Sequence, residues 1–222
     1  MRADGGYHIV HTVLQAPVPF VDGFALIDTH LSAIGRPRAA LCGVELRCAT
    51  PYTADQWVAP DGFNAHYIGI IRSWGLFVGE HNPVARTNVA PTVSPPAEQV
   101  LYGFSYTAPA ALAGSTFVLS GAGESPRVRA GETGSEALRE KLADVVNTLE
   151  RRLTSLAAAW EAVTTINLYA AHDLYPLFEQ EVLLRLGPAA VHGIHLFPSR
   201  PPIDNLEIEL DVRAVEEERR LR

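Results

Sequence analysis

Our prediction of the fold starts from residues 164–212, which read TTINLYAAHDLYPLFEQEVLLRLGPAAVHGIHLFPSRPPIDNLEIELDV. Residues 164–169 are rich in β-branched and aromatic side chains and predict a strand. A helix over 175–186 follows a turn, then comes an irregular segment, and residues 206–214 alternate as a second strand. This order of elements is the unit from which we interpret the rest of the chain.

The same order occurs earlier in the chain. A strand over 39–48, a helix over 63–74, an irregular stretch over 84–96 with several turn-forming residues, and a strand over 100–106 repeat it. A repeat on this scale predicts two copies of one small domain. The repeat also suggests that a functional site lies at the faces between the two copies.

Each copy is completed by upstream elements. Residues 7–14 read as a strand before a helix over 20–31, and residues 115–120 read as a strand before a helix over 138–156. Right-handed crossovers place the helices on one face of a mixed sheet. The other face then needs cover from the second copy or from another subunit.

Finer patterns give three more expectations. Thr133 and Glu136 have the spacing of a capping box at the start of a helix. The alternation over 206–214 predicts one buried face and one polar face. The mixed-charge tail, residues 216–222, is expected to be a solvated helix end.

Composition limits the classes of protein that we consider. The 222 residues are 47% hydrophobic and 19% charged, which is typical of a globular protein. A net charge of −7 argues against a nucleic-acid partner, because phosphate binding needs a basic surface. No apolar stretch is long enough to span a membrane, and Cys42 and Cys48 are too far apart on one strand for a disulfide. We therefore expect a cytoplasmic location and no membrane partner.

Several residues carry chemistry. Arg86, in the segment PVARTNVAP, can hold a carboxylate bidentately, although an exposed surface arginine is the plain alternative. Glu207 and Glu209 share one face of the last strand, where repulsion or burial raises a carboxyl pKa towards acid–base use, and a solvated strand face is the alternative. His192 and His195 lie in an irregular segment, so we expect no metal site.

The motifs STFVLSGAG (115–123), TTINLYAAHD (164–173), PVARTNVAP (83–91) and NLEIELDVRA (205–214) occur in an informative order. Together they resemble the YjgF/Rid (reactive intermediate deaminase) family, formerly labelled endoribonuclease L-PSP. The chain resembles a tandem two-domain member and, more distantly, a chorismatase. The implied fold class is α+β, with two Rid-like (chorismate-mutase-like) β-α-β-α-β domains over 1–108 and 109–222, the first of them degenerate.

The resemblance implies roles for particular residues. The arginine that grips a substrate carboxylate in that family matches Arg86, and the glutamate that orients the hydrolytic water matches Glu207. Tyr106 matches the aromatic residue that lines the cleft, and His192 occupies the arginine's place in the second copy. Neither copy has the whole set, so one hypothesis is that Arg86 and Glu207 meet across an interface between the copies.

From these observations we predict a cofactor-independent and metal-free hydrolase or deaminase. Its substrate would be a small imine, enamine or enol ether that bears a carboxylate. Glu207 and His192 are the predicted catalytic residues, and Arg86, Tyr106 and Glu209 the predicted substrate-binding residues. The resemblance also implies a homotrimer. The alternatives are a chorismatase-like enzyme and a non-catalytic binding or assembly protein that keeps the fold.

Overall fold

The computed structural model describes residues 1–110 and 115–222. The strands are β1 (Tyr7–Pro19), β2 (Leu41–Arg47), β3 (Ala85–Pro91), β4 (Val100–Pro109), β5 (Phe117–Val118), β6 (Ala122–Gly123), β7 (Thr165–Ala170), β8 (His195–Arg200), β9 (Ile208–Ala214) and β10 (Glu217–Leu221). The α-helices are α1 (Phe20–Ala33), α2 (Ala54–Val58), α3 (Phe63–Ser73), α4 (Ser135–Ser155) and α5 (Leu184–Leu186). Within the described residues, no helix is long and apolar enough to cross a membrane.

The strands form one mixed sheet in the order β10-β1-β4-β2-β3-β8-β7-β9-β5, with β6 paired to β9. Within the first half, β4 lies antiparallel between β1 and β2, and β2 pairs parallel with β3. The second half has the same arrangement, with β9 antiparallel between β5 and β7, and β7 parallel to β8. The predicted repeat of elements is thus present as a repeat of strand pairing, while the division into domains at residues 108 and 109 stays a prediction.

The two ends of this strand order come back together. The Val118 amide donates to the Met1 carbonyl, and the Ala3 amide donates to the Thr116 carbonyl, both at 2.9 Å. β10, which pairs with β1, begins shortly after β9 ends. In addition, Glu45 Oε1 on β2 lies 3.4 Å from Arg213 Nη1 on β9, although three strands separate β2 from β9 along the sheet. The sheet therefore curls around an interior.

The helices cover the outside of the curled sheet. One apolar cluster joins α1 and α3 to β1, β2 and β4, and a second joins α4 and the segment after β7 to β7 and β9. The inner face carries buried polar side chains instead: His11, Glu45, Arg47, Ser105, Asn167, Tyr169, Glu209, Asp211 and Arg213. Each half therefore covers the inner face of the other.

The prediction of an irregular stretch over 84–96 was wrong for its first half. Residues Ala85–Pro91 form β3, which pairs in parallel with β2 from Ala85 to Val89. The turn-forming residues misled the prediction because Pro91 lies at the end of the strand, where the missing amide costs no interior hydrogen bond.

The prediction that residues 216–222 form a solvated helix end was also wrong. Glu217–Leu221 form β10, an edge strand whose charged residues suit a sheet margin. Glu218 accepts from Arg213 Nη2 at 2.9 Å and so ties this strand to the interior. The pattern of charges is compatible with either structure, and pairing with β1 decides between them.

Three local predictions need correction as well. The capping box is absent, because Gly134 occupies the N-cap position of α4 and no side chain bonds there. The predicted helix over 175–186 is broken into short 3₁₀, π and α segments that end at Gly187. Finally, both faces of β9 are buried, since its polar side chains face the enclosed interior rather than solvent.

Candidate functional site

A cavity of about 170 Å³ lies at the seam between the two halves. β3 and β8 form the seam, and they pair only through Ala90 with Arg200 and Pro91 with Ser199, which leaves the earlier part of β3 free of a strand partner on that side. The cavity is lined by Trp57, Arg86, Asn88, Gly121, Gly123, Pro202, Ile203, Leu206 and Glu209. It therefore combines one cation, one carboxyl group and an apolar wall.

Arg86 is held among aromatic rings. Its guanidinium carbon lies 4.4 Å from the ring centroid of Tyr67, 5.0 Å from that of Trp57 and 5.8 Å from that of Phe63. Its Nη1 donates to Asn64 Oδ1 at 2.9 Å. Burial lowers the pKa of Arg86, and Tyr67 and Glu209 oppose that effect. Cation–π contacts and one hydrogen bond thus orient the guanidinium and leave donors for a ligand.

Glu209 lies on the inner face of β9 and is 5% exposed. Burial, with a further contribution from the negative charge of Asp211, raises the pKa of Glu209 to about 8. Arg86, Arg47 and Arg152 act in the opposite direction but do not cancel the desolvation. A carboxyl group with such a pKa exchanges its proton near neutral pH, as a general acid or base must.

The loop of Ser120 and Gly121 contacts both Arg86 and Glu209. The Arg86 amide donates to Ser120 Oγ and the Gly121 amide donates to the Arg86 carbonyl, both at 3.1 Å. Arg152 Nη1 on α4 donates to the carbonyls of Ser120 and Gly121 at 2.9 and 3.2 Å. A Cβ atom on Gly121 would lie 2.0 Å from Glu209 Oε1, so the Glu209 carboxyl group can keep its place only while residue 121 has no side chain.

Gly121→Ala is expected to lower the rate of any reaction in which Glu209 takes part by about tenfold or more, because the added methyl group must displace the Glu209 carboxyl group from its place beside Arg86. Gly69→Ala is the matched control, since Gly69 has no neighbouring atom within 4 Å of an added Cβ. Steady-state rates of both variants test this. A Gly121→Ala enzyme with the wild-type rate would show that the carboxyl position is unimportant.

The structure brings Arg86 and Glu209 together but places the other predicted residues elsewhere. Glu207 faces inwards two residues before Glu209, and its Oε2 lies 2.7 Å from His172 Nε2 rather than near Arg86. His192 is exposed at the end of a 3₁₀ segment. Tyr106 is buried in the apolar cluster of the first half, where its ring packs against His30. None of these three lines the cavity.

A buried ion pair holds the start of β9. Lys141 Nζ lies 3.3 Å from Glu124 Oε1, and both side chains are 1% exposed. The Glu124 carboxylate also accepts from the amides of Glu207 and Ile208, at 2.7 and 3.1 Å. This carboxylate therefore fixes the backbone just before Glu209.

Glu124→Ala is expected to destabilise the protein by about 3 kcal/mol, because it leaves the Lys141 ammonium buried without its partner. Glu132→Ala removes an exposed carboxylate of a surface ion pair and should change stability by less than about 1 kcal/mol. Denaturant unfolding of the two variants measures the difference. Equal stability of the two would contradict the importance of the buried pair.

The sequence interpretation missed Trp57 and Asn88 as cavity residues. Trp57 lies on α2, between the predicted strand over 39–48 and the predicted helix over 63–74, and Asn88 lies in the stretch that we expected to be irregular. Placing Asn88 on a strand would have put it on the same face as Arg86, two residues apart. No sequence signal connects Trp57 to Arg86.

A second cavity, of about 340 Å³, adjoins Ser120. Arg152 is its charged side chain, and no carboxyl side chain lines it, so it lacks the acid–base pair. Among the described residues, no group of three or more His, Cys, Asp and Glu side chains could hold a metal ion. The prediction that the reaction needs no metal or cofactor is not tested by this and stays a prediction.

The cavity can bind a carboxylate through Arg86 and exchange a proton through Glu209. Both groups lie in the same cavity as the apolar side chains of Trp57, Ile203 and Leu206. Such a pair suits hydrolysis in which a substrate carbon is first protonated and then attacked by water.

Comparison with known proteins identifies the family. The family model described as "2-aminomuconate deaminase CnbZ" matches residues 1–219. The 2-amino-5-chloromuconate deaminase of Comamonas testosteroni is 34% identical over an alignment of 225 positions, which covers 96% of this chain and 88% of that protein. A chorismatase crystal structure covers 94% of this chain and 74% of its own with a TM-score of 0.53 at 10% identity, a likeness of fold alone. The resemblance to deaminases is confirmed at this level: the chain belongs to the 2-aminomuconate deaminase CnbZ family.

Proposed function

We propose that this protein is a hydrolytic deaminase of an amino-substituted, unsaturated dicarboxylate of the aminomuconate class. The observation that carries the proposal is the meeting of Arg86 and Glu209 in one cavity at the seam between the halves. Membership of the CnbZ family and the name of the relative from Comamonas testosteroni support the substrate class. The cavity volume of about 170 Å³ suits a small molecule rather than a polymer.

Binding would rest on Arg86. A carboxylate of the substrate accepts hydrogen bonds from the guanidinium donors that Asn64 leaves unused. The aromatic rings around Arg86 reduce its hydration, which strengthens the ion pair with the ligand. This contact would place the amino-bearing carbon of the substrate near Glu209.

Glu209 would move the protons. In its neutral form it donates a proton to the enamine carbon that does not carry the amino group, and the substrate becomes an iminium ion. The resulting carboxylate accepts a proton from water as the water oxygen bonds to the iminium carbon. Glu209 then protonates the amino group, the C–N bond breaks, and the carboxylate accepts the hydroxyl proton. The products are one ketone and one ammonia per water consumed, and Glu209 returns to its starting state.

The test is to incubate the purified protein with freshly generated 2-aminomuconate and to follow ammonia release and the ultraviolet absorbance of the conjugated substrate. We expect ammonia to be released faster than from the substrate in buffer alone, in an amount equal to the substrate lost, with no cofactor added. Thermal stabilisation by the substrate without ammonia release would support the alternative of a binding protein and contradict the proposal.

The alternative predicted from the sequence assigns the orientation of the hydrolytic water to Glu207, with His192 as the second catalytic residue. Glu207 is paired with His172, and so it has a partner that could share a proton. Rates of Glu207→Gln and Glu209→Gln compared under one condition decide between the assignments. A loss confined to Glu207→Gln would restore the sequence-based assignment and remove Glu209 from the chemistry.

The assembly and cellular setting are proposals on the resemblance alone. We propose a homotrimer of chains with the two-domain division at residues 108 and 109, in the cytoplasm and without nucleic-acid or membrane partners. Light scattering of the purified protein tests the trimer, for which a monomer or dimer mass would be the contrary result.

A further inference from the structure

We propose that Trp57 is a specificity-determining residue, whose indole ring favours planar, conjugated carboxylates over saturated acids of the same length. The inference rests on the proposed function, because it concerns the same cavity. It adds the shape of ligand that the cavity selects, and it names a residue that has no part in proton transfer.

Trp57 is presented by the five-residue helix α2. Thr53 and Gln56 close a complete capping box at its start, and none of the five residues of α2 is buried. The indole nevertheless reaches inwards, where it lines the cavity and lies against Arg86. Contacts with the rings of Tyr52 and Phe63, at centroid distances of 5.9 and 6.2 Å, hold its orientation.

The other apolar lining comes from Pro202, Ile203 and Leu206 in the second half of the chain. Tyr52 connects this segment to the Trp57 segment: its amide donates to the Pro202 carbonyl at 2.7 Å, and its carbonyl accepts from the Asp204 amide at 2.8 Å. The indole and the aliphatic side chains are thus held at a fixed separation. A ligand in the cavity has both as neighbours.

The positions of Arg86 and Trp57 favour a planar ligand. A carboxylate bound to Arg86 places its next carbons beside the indole, since the guanidinium itself lies over that ring. In a conjugated acid these carbons and the carboxylate share one plane, so they can stack on the ring. A saturated chain is staggered and makes less contact. We expect the stacking to be worth about tenfold in affinity.

The experiment uses inert acids, which lack an amino group and therefore cannot turn over. Calorimetry gives Kd values for adipate and for cis,cis- and trans,trans-muconate with the wild-type protein, Trp57→Phe and Trp57→Leu. We expect the better muconate isomer to bind the wild type about tenfold more tightly than adipate. Trp57→Phe should keep most of this ratio, and Trp57→Leu should reduce it to about twofold. Both acids are expected to bind Arg86. A displacement of its guanidinium by a Trp57 substitution therefore affects both Kd values alike and leaves their ratio unchanged.

Trp74→Leu is the matched control, because Trp74 packs on Phe24 and Arg38 and does not line the cavity. It should leave the muconate-to-adipate ratio unchanged. An unchanged ratio in Trp57→Leu, or equal binding of the two acids by the wild type, would overturn the role of Trp57. Either result is separate from the deaminase assay, in which ammonia release is measured on the amino-bearing substrate.

Discussion

Glu209→Gln should reduce kcat by about 10³-fold, because glutamine keeps the shape of the side chain but can neither give nor take a proton. Glu207→Gln is a closely matched control: it makes the same change two residues earlier, on the same face of the chain and at similar burial. Ammonia release at saturating substrate measures the effect. A Glu209→Gln enzyme with a rate close to that of the wild type would remove Glu209 from the mechanism.

The same residue predicts how the rate depends on pH. Burial raises the pKa of Glu209 to about 8, so the neutral, proton-donating form predominates below that pH. We expect kcat/KM to fall as the pH rises through about 8, and the residual activity of Glu209→Gln to lack this step. A wild-type rate that instead rises through pH 8 would mean that the carboxylate form starts the reaction.

Stability should change in the corresponding way. The raised pKa means that the folded protein holds the Glu209 proton more tightly than the unfolded chain, whose carboxyl group titrates near 4.5. The free energy of unfolding therefore loses this contribution as the pH rises from about 4.5 to about 8. Glu209→Gln should remove that part of the decline, which denaturant unfolding at a series of pH values can measure. Parallel curves for the two proteins would contradict the raised pKa.

Arg86→Ala should reduce kcat/KM by about 10³-fold, because two charge-assisted hydrogen bonds to the substrate carboxylate are lost in a site of low polarity. Arg86→Lys should recover little, since an ammonium group cannot offer the paired donors of guanidinium. Arg151→Ala, an exposed arginine on α4, is the control. Added guanidinium should partly restore Arg86→Ala, and full activity without it would exclude Arg86 as the carboxylate ligand.

The repeat of elements was predictable because it depends on local patterns. The β-branched strands, the apolar stripe of α4 and the alternation of β9 follow from side-chain periodicity, which the sequence displays directly. Arg86 could also be selected from sequence, because its guanidinium can hold a carboxylate bidentately and it matches the arginine of the family that the motifs resemble. These features needed no knowledge of which strands are neighbours.

The sequence pattern alone does not distinguish Glu207 from Glu209 as the residue that lines the cavity with Arg86. Both lie on the polar side of the predicted strand over 206–214, so periodicity puts them on one face. Their partners differ: Glu207 Oε2 lies 2.7 Å from His172 Nε2, whereas Glu209 lies against Gly121 and within the electrostatic influence of Arg86. The hypothesis that Arg86 and Glu207 act together across the interface stays a prediction, and the structure places Glu207 beside His172 while Arg86 and Glu209 line one cavity.

Local patterns in the sequence were enough to predict the two-fold order of strands and helices, the polar side of β9, and Arg86 and Glu209 as candidate site residues. They could not show that the tail becomes β10, that the polar side faces an enclosed interior, or that Trp57, Arg86 and Glu209 line one cavity. The physical reason is that burial, pKa and strand pairing depend on contacts between residues far apart in the chain. Those contacts exist only once the sheet curls and its two halves meet.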